Sequence, residues 1–403
     1  MSDRHIAILS QGIVAHDGRL RKHARALANA NYRVTVVGRR ALDGQEPNEP
    51  FEVVYLQQDR PDFMWPWWGR PSVWRPVRGV VNRTYTQVRL DFHWRALITS
   101  SELTDIGYAL KPDVVVASDL YALKSAGLVS QRLDVPLVFD SYEFFEGYFD
   151  NHYAQREANR LLKKWVPRAS ALLSPCPLKP LGNLYARARR EIVIANSAPW
   201  EEVTPTALHE PIRLLSQSGI RRASGELLMV QAMQYLRDKA TLTVQGRSVD
   251  PAYLAEIEDT IARHGLEDVV TLTGAFDPSE GVRCANAFDI GTVTRPSPLS
   301  RNNDIARPNR FYNYLNAGLA CAVGNTTGFR TFSGMDEFGI LLDTTSPETI
   351  ARDLRPLLEN PEQIAHMKYR AKELYRPHTW EEQERKLLAL YAEMFASESA
   401  SAA

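Results

Sequence analysis

Arg310 stands just inside a helix start, and the residues around it make a place for negative charge. The stretch 306–324, ARPNRFYNYLNAGLACAVG, reads as a polar turn, an amphipathic helix over 309–317, a glycine stop and a short buried strand. Pro308 suits a first helical position, Phe311, Tyr314 and Leu315 share one face, and Gly318 ends the run. Backbone N–H groups at Asn309 and the Arg310 cation then point the same way, as holding a diphosphate requires. A second basic turn, 216–225, follows an apolar strand and carries Gly219, Arg221, Arg222 and Ser224 ahead of another helix. It is neither a Walker loop nor GxGxxG, and its plain alternative is a pair of surface arginines with no ligand.

Two further strand ends carry carboxylates and a phenol. Residues 138–145, VFDSYEFF, put Tyr142 and Glu143 after a strand, and residues 116–119 end another strand in Asp119. A tyrosine, with an ordinary pKa of about 10, donates a hydrogen bond well but is a poor base near neutrality. Its alternative role is packing within a strand-to-helix loop. The first loop supplies Gly12, Asp17 and Arg19, where Asp17 either lines a ligand or caps the following helix. No GxSxG, HExxH, CxxC or P-loop occurs, and the nine histidines form no metal spacing.

Short apolar strands alternating with helices must position these loops. The first array has strands over 5–9, 33–38, 51–56, 113–119, 136–140, 171–174 and 191–195, with a helix over 19–30. The second has strands over 212–216, 240–244, 269–273, 290–293, 321–323 and 339–343. Helices over 225–237, 251–264, 309–317, 346–358 and 360–374 fit between or after them. That alternation predicts an α/β chain of two doubly wound parallel sheets, with ligands at the C-terminal ends of the strands. Residues 196–211, rich in Pro and Glu, read as the linker. The domains are thus expected over 1–197 and 211–377, followed by a helix over 378–396 and a disordered tail over 397–403.

The length of 403 residues suits two domains, and 44% apolar with 24% charged residues suits a soluble protein. Zero net charge argues against a nucleic-acid binder. Cys176, Cys284 and Cys321 lie far apart and read as buried reduced thiols. A strand within five residues of the N-terminus makes a signal peptide unexpected, and no apolar run is long enough to span a bilayer. A cytoplasmic location is expected. Residues 61–95 hold five of the eight tryptophans, Trp65, Trp67, Trp68, Trp74 and Trp94, among arginines. Trp and Arg together favour a lipid–water interface, which makes Trp65, Trp67, Trp68 and Trp74 candidates for membrane contact. Packing inside a long loop, or against another copy, is the other reading.

The 306–324 layout resembles the PNKLFEYLAAG signature of family-4 retaining glycosyltransferases of the GT-B fold. The resemblance implies two Rossmann-like domains facing a central cleft, with a last helix crossing back to the first domain. It implies transfer of a sugar, with retention, from a nucleoside-diphosphate sugar to a hydroxyl of a glycan or lipid-linked acceptor, in envelope polysaccharide biosynthesis. The nucleotide sugar is a co-substrate, and neither metal nor other cofactor is expected. Donor binding falls to Gly219, Arg221, Arg222, Ser224, Gly274, Asn309, Arg310 and Asn313, and catalysis to Tyr142, Glu143, Asp119 and Arg310. Gly12, Asp17 and Arg19 fall on the acceptor side or the diphosphate.

Three positions depart from the family pattern. Asn313 replaces the glutamate that accepts from the ribose hydroxyls, Tyr142 replaces a histidine, and Ser224 replaces a basic residue. The residue eight before Asn313, often a second carboxylate in relatives, is Ile305, with Asp304 beside it. An uncharged acceptor at 313 weakens that bond by about 1 kcal/mol. These replacements also fit a catalytically inactive homologue acting as a binding or scaffold subunit. A nucleotide-sugar epimerase of the same shape is a third reading.

Overall fold

The computed structural model describes residues 4–41, 48–57, 100–297 and 299–401. The chain divides into two compact units, one of Met1–Ile194 with Lys386–Ala403, the other of Ala195–Arg385. The 61–95 stretch, with Trp65, Trp67, Trp68 and Trp74, lies outside the described residues.

The first unit holds β1 (His5–Ile13), β2 (Arg33–Arg39), β3 (Glu52–Tyr55), β4 (Val114–Ser118), β5 (Leu137–Asp140), β6 (Ala171–Ser174) and β7 (Glu191–Val193). They pair in parallel in the order β3-β2-β1-β4-β5-β6-β7. Every residue of β4, β5 and β6 is buried, as strands covered on both faces must be. The second unit holds β8 (Ile212–Gln217), β9 (Ala240–Gln245), β10 (Val270–Gly274), β11 (Ile290–Val293), β12 (Ala320–Gly324) and β13 (Gly339–Leu342). Their order is β10-β9-β8-β11-β12-β13, again all parallel. Winding reverses between β1 and β4 in one sheet and between β8 and β11 in the other. A doubly wound sheet opens a crevice at such a point, so the loops after these strands are where function belongs.

Thirteen described strands match the thirteen expected, with ends shifted by a residue or two and β1 running four residues further, to Ile13. That extension is followed by a 3-10 turn at Val14–His16, so Gly12 lies within the strand and not in a loop. The 225–237 helix is shorter, Glu226–Ala232, and tightens into a 3-10 turn at Met233–Tyr235. Pro308 is extended (ψ 157°) and precedes the helix Asn309–Ala317 instead of occupying its first turn. That helix is not amphipathic in the usual sense. Arg310, Phe311, Tyr312, Tyr314, Leu315, Asn316 and Ala317 are all buried, and only Asn309 and Asn313, four residues apart on one face, are open.

Phe311 explains the burial. It sits among Phe329, Phe332 and Phe338, with ring centroids 5.0, 5.1 and 6.1 Å away. Each such ring contributes about 2–3 kcal/mol on leaving water. On the C-terminal side, Asn316 accepts from Lys372 Nζ and donates to Pro199 O at 2.7 Å, tying 199–201 to the helix. Burial lowers the Lys372 ammonium to about 8.

The last helix, Trp380–Ser401, contributes Leu387, Leu390, Tyr391 and Phe395 as its buried stripe, and from Lys386 onward it belongs to the first unit. Leu388 and Met394, beside that stripe, are half-buried. Cys176 and Cys321 are buried thiols, and Cys284, expected buried, is half-exposed. Burial pushes the Cys321 thiol far above its ordinary range. Among the described residues no helix is long and apolar enough to cross a membrane.

Candidate functional site

In the first unit the loops after β1, β4 and β5 converge on one buried polar cluster. Asp17 caps the helix Gly18–Asn29, its Oδ1 accepting from Leu20 N at 2.9 Å, so the capping role is real. Its carboxyl also hydrogen-bonds the Tyr142 hydroxyl, which lies 2.5 Å from Ser118 Oγ. With Asp17 ionised, the phenol must donate to it and accept from Ser118. Burial, reinforced by Asp17 and Asp140, holds Tyr142 well above the usual phenol range, so it works as a hydrogen-bond donor and not as a base. Burial likewise raises Asp17.

Arg19 is committed within the protein. Its Nη2 and Nε reach Asp140 Oδ1 at 2.7 and 3.0 Å, and its Nη1 donates to Ile194 O at 2.7 Å. Although burial opposes the anion, Arg19 and His23 hold the Asp140 carboxyl below its ordinary range. His23 Nδ1 lies 3.5 Å from Asp140 Oδ2, and its Nε2 lies 2.9 Å from Tyr391 of the last helix. Gly12 donates its N–H to Ser10 Oγ at 2.9 Å and stands beside Asp17.

Asp119 is the exception in this cluster. Its φ is +78°, a region rarely adopted by a residue with a side chain, and its Oδ1 caps the helix Leu120–Leu133 through Leu120 N at 2.7 Å. Burial first, then the neighbouring Glu143, Asp17 and Asp140 carboxyls, push it up to about 8. A carboxyl that is protonated near neutrality can give or take a proton at working pH. Glu143 stands within its electrostatic reach, and the loop bearing both Tyr142 and Glu143 is pinned from below. Buried Tyr185 receives Phe145 N at 3.1 Å and contacts Ser141 Oγ at 2.8 Å.

In the second unit the loop after β8 closes on itself, Ser224 Oγ donating to Gly219 O at 3.1 Å. Gly225 follows at φ +84°, where a Cβ would lie 1.8 Å from Thr294 O. Only glycine fits there. This contact presses the β8 loop against the end of β11, at the reversal of winding. Arg310 reaches the same loop: Nη2 donates to Ser224 O at 3.0 Å and Nη1 lies 3.4 Å from Glu226 Oε1. A cation from another element thus lies against Ser224. Glu226 Oε1 also accepts from the Ser218 hydroxyl. Among the described residues, Arg310 Nε and Glu226 Oε2 are buried without a partner.

The other donor-side residues scatter more. Arg221 is exposed, and Arg222 turns outward to Glu256 at 2.7 Å while lying over the Tyr253 ring. Asn309 is exposed, and Asn313 Nδ2 donates to Gln217 Oε1 at 3.3 Å. Gly274 ends β10 at φ +72° with open space where a side chain would be. Asp304 accepts from Thr327 N at 2.9 Å and so fastens the loop after β12, while Ile305 is buried. Neither supplies a second carboxylate for a ligand. Sequence reasoning missed Gln217, Glu226, Asp140 and His23. Glu226 follows the special glycine, and Asp140 and Gln217 are polar strand ends, which was the available signal. His23 had none, sitting among apolar residues on its helix face. Among the described residues, no three His, Cys, Asp or Glu side chains cluster as metal ligands.

No protein-family model and no curated protein sequence matches the chain. Solved structures do. Sucrose-phosphate synthase from Thermosynechococcus elongatus superposes with TM-score 0.65 at 16% identity, covering 98% of this chain and 100% of that one. A glycosyltransferase from Rickettsia africae gives TM-score 0.69 at 12% identity, covering 98% and 99%. HepE from Anabaena, solved in complex with UDP and glucose, gives TM-score 0.64 at 15% identity, covering 97% and 99%. With two doubly wound parallel sheets and likenesses spanning nearly its whole length, the chain has the GT-B fold.

Proposed function

We propose that this chain is a glycosyltransferase that moves a sugar from a nucleoside-diphosphate sugar to an acceptor hydroxyl with retention of configuration. The observation that carries the reading is the buried Arg310 guanidinium, set in the Gly225 loop at the winding reversal with its Nε unpartnered. Such a preorganised donor stabilises the charge that grows on a departing diphosphate. The neighbouring fold relatives support it, since HepE was solved with UDP and glucose. In the first unit, Tyr142 donates a hydrogen bond, and the ionised form of Asp119 takes the acceptor hydroxyl's proton as the hydroxyl oxygen bonds to the sugar and the sugar–phosphate bond breaks. The acceptor is a glycan or a lipid-linked glycan of an envelope polysaccharide. The reaction is cytoplasmic, at the membrane surface met by the Trp-rich stretch 61–95.

The test is a panel of nucleotide sugars read by product mass, with Arg310→Ala beside the unchanged protein. Turnover is expected to fall on the order of 10²–10³-fold with the fold intact. An unchanged rate removes Arg310 from the mechanism. One observation favours a second reading, a binding or scaffold subunit with a disabled donor site: Glu226 already pairs with Arg310 and so answers the cation that a phosphate would need. Melting with UDP, GDP, ADP and dTDP separates the two, because a disabled site gives no shift.

A further inference from the structure

Three side-chain amides form a chain at the ends of β8 and β9, and one backbone carbonyl sets its direction. Gln217 is 1% exposed. Its Nε2 donates to Gly281 O at 3.0 Å and to Gln245 Oε1 at 3.0 Å, and its Oε1 accepts from Asn313 Nδ2 at 3.3 Å. A carbonyl oxygen can only accept, so Gly281 O fixes which end of the Gln217 amide is nitrogen. The rest follows. Gln217 presents oxygen to Asn313, so Asn313 must present nitrogen in return and turn its Oδ1 away. The reversed arrangement would set donor against donor at Asn313 and acceptor against acceptor at Gly281. No described residue donates to Asn313 Oδ1, and Asn313 lies on the open face of its helix.

The neighbouring backbone is built around this arrangement. Gln217 N donates to the buried Tyr314 hydroxyl at 2.8 Å, which locks the strand end to the residue after Asn313. A side chain at position 281 would come within 3.0 Å of Asn313 Nδ2, so glycine is what lets the amide approach.

We infer that Gln217 is a positioning residue that aims the Asn313 carbonyl outward as a hydrogen-bond acceptor for a ribose hydroxyl of the donor nucleotide. The inference rests on the donor reading above. The uncharged acceptor then gains by direction what it loses in charge. Binding of a ribose diol depends on a residue that never touches it.

The experiment compares dissociation constants for a ribonucleoside diphosphate and its 2′,3′-dideoxy analogue, using UDP, ADP or GDP, whichever shifts the melting temperature. The unchanged protein is expected to prefer the ribose form, and Gln217→Met to weaken that form alone by about three- to tenfold, the worth of one hydrogen bond. Gln245→Met, which leaves Gly281 O in command of the polarity, is expected to keep the preference. If Gln217→Met fails to fold, Asn313→Ala must abolish the preference. Equal weakening of both nucleotides by Gln217→Met, no ribose preference in the unchanged protein, or a preference surviving Asn313→Ala overturns the inference while leaving nucleotide binding intact. If none of the three nucleotides binds, the donor reading falls and takes this inference with it.

Discussion

Replacing Asp119 by Asn tests the buried acid cluster with a definite sign. In the fold, burial and three carboxyl neighbours raise this group from an ordinary 3.8 to about 8. A carboxyl raised on folding binds its proton more tightly in the native state. Stability must then fall as pH rises from about 4 to about 8, and level off above. At about 1.4 kcal/mol per pH unit the ceiling is about 6 kcal/mol. Asp119 still touches solvent, so a loss on the order of 3 kcal/mol is the working figure. The asparagine keeps the cap to Leu120 N and cannot ionise. Urea unfolding of both proteins at half-unit steps from pH 4.5 to 9.5 reads the difference directly. The variant should match the parent at the acid end and exceed it by about 3 kcal/mol at the alkaline end. A gap that stays constant across that range refutes the assignment of a raised, protonated Asp119.

Other consequences can be checked alongside. Glu226→Gln keeps the hydrogen bond from Ser218 and removes the charge beside Arg310, so nucleoside diphosphate should bind about five- to tenfold more tightly in titration calorimetry; weaker binding would mean that Glu226 is needed to hold the guanidinium in place. Gly225→Ala forces a Cβ against Thr294 O at φ +84° and should cost at least about 2–3 kcal/mol in denaturant unfolding, together with nucleotide binding. A variant of normal stability would show that the β8 loop has another low-energy path.

Much of the frame was legible because its signal is local. Runs such as Val114–Ser118 and Leu137–Asp140 declare buried parallel strands by composition alone, and Gly318 at φ +71° ends its helix as the glycine stop suggested. The site was less legible because its partners are distant in sequence. Nothing near Arg310 indicates that it will lie beside Ser224 and Glu226, or that Arg222 will turn to Glu256 instead. Arg19 could be picked out as a polar residue at a helix start, but its engagement with Asp140 spans 121 positions. Phe311, Tyr314 and Leu315 on one face make the 309–317 helix read as amphipathic. Arg310 and Asn316 are buried because each found hydrogen-bond partners inside the protein, which residue type alone does not announce.

The aromatic packing around Phe311 has a consequence for the proposed donor site. A coil wedged on nearly every side cannot yield when something docks against Asn309 and Asn313. Under the proposed donor reading, adjustment to different sugars or bases is left to the turns 218–225 and 294–297. Amide exchange should therefore be slowest along the coil and fastest in those two turns. A trimmed ring at Phe329 or Phe338, remote from any ligand, would register as looser nucleotide grip before it registered as a lost fold.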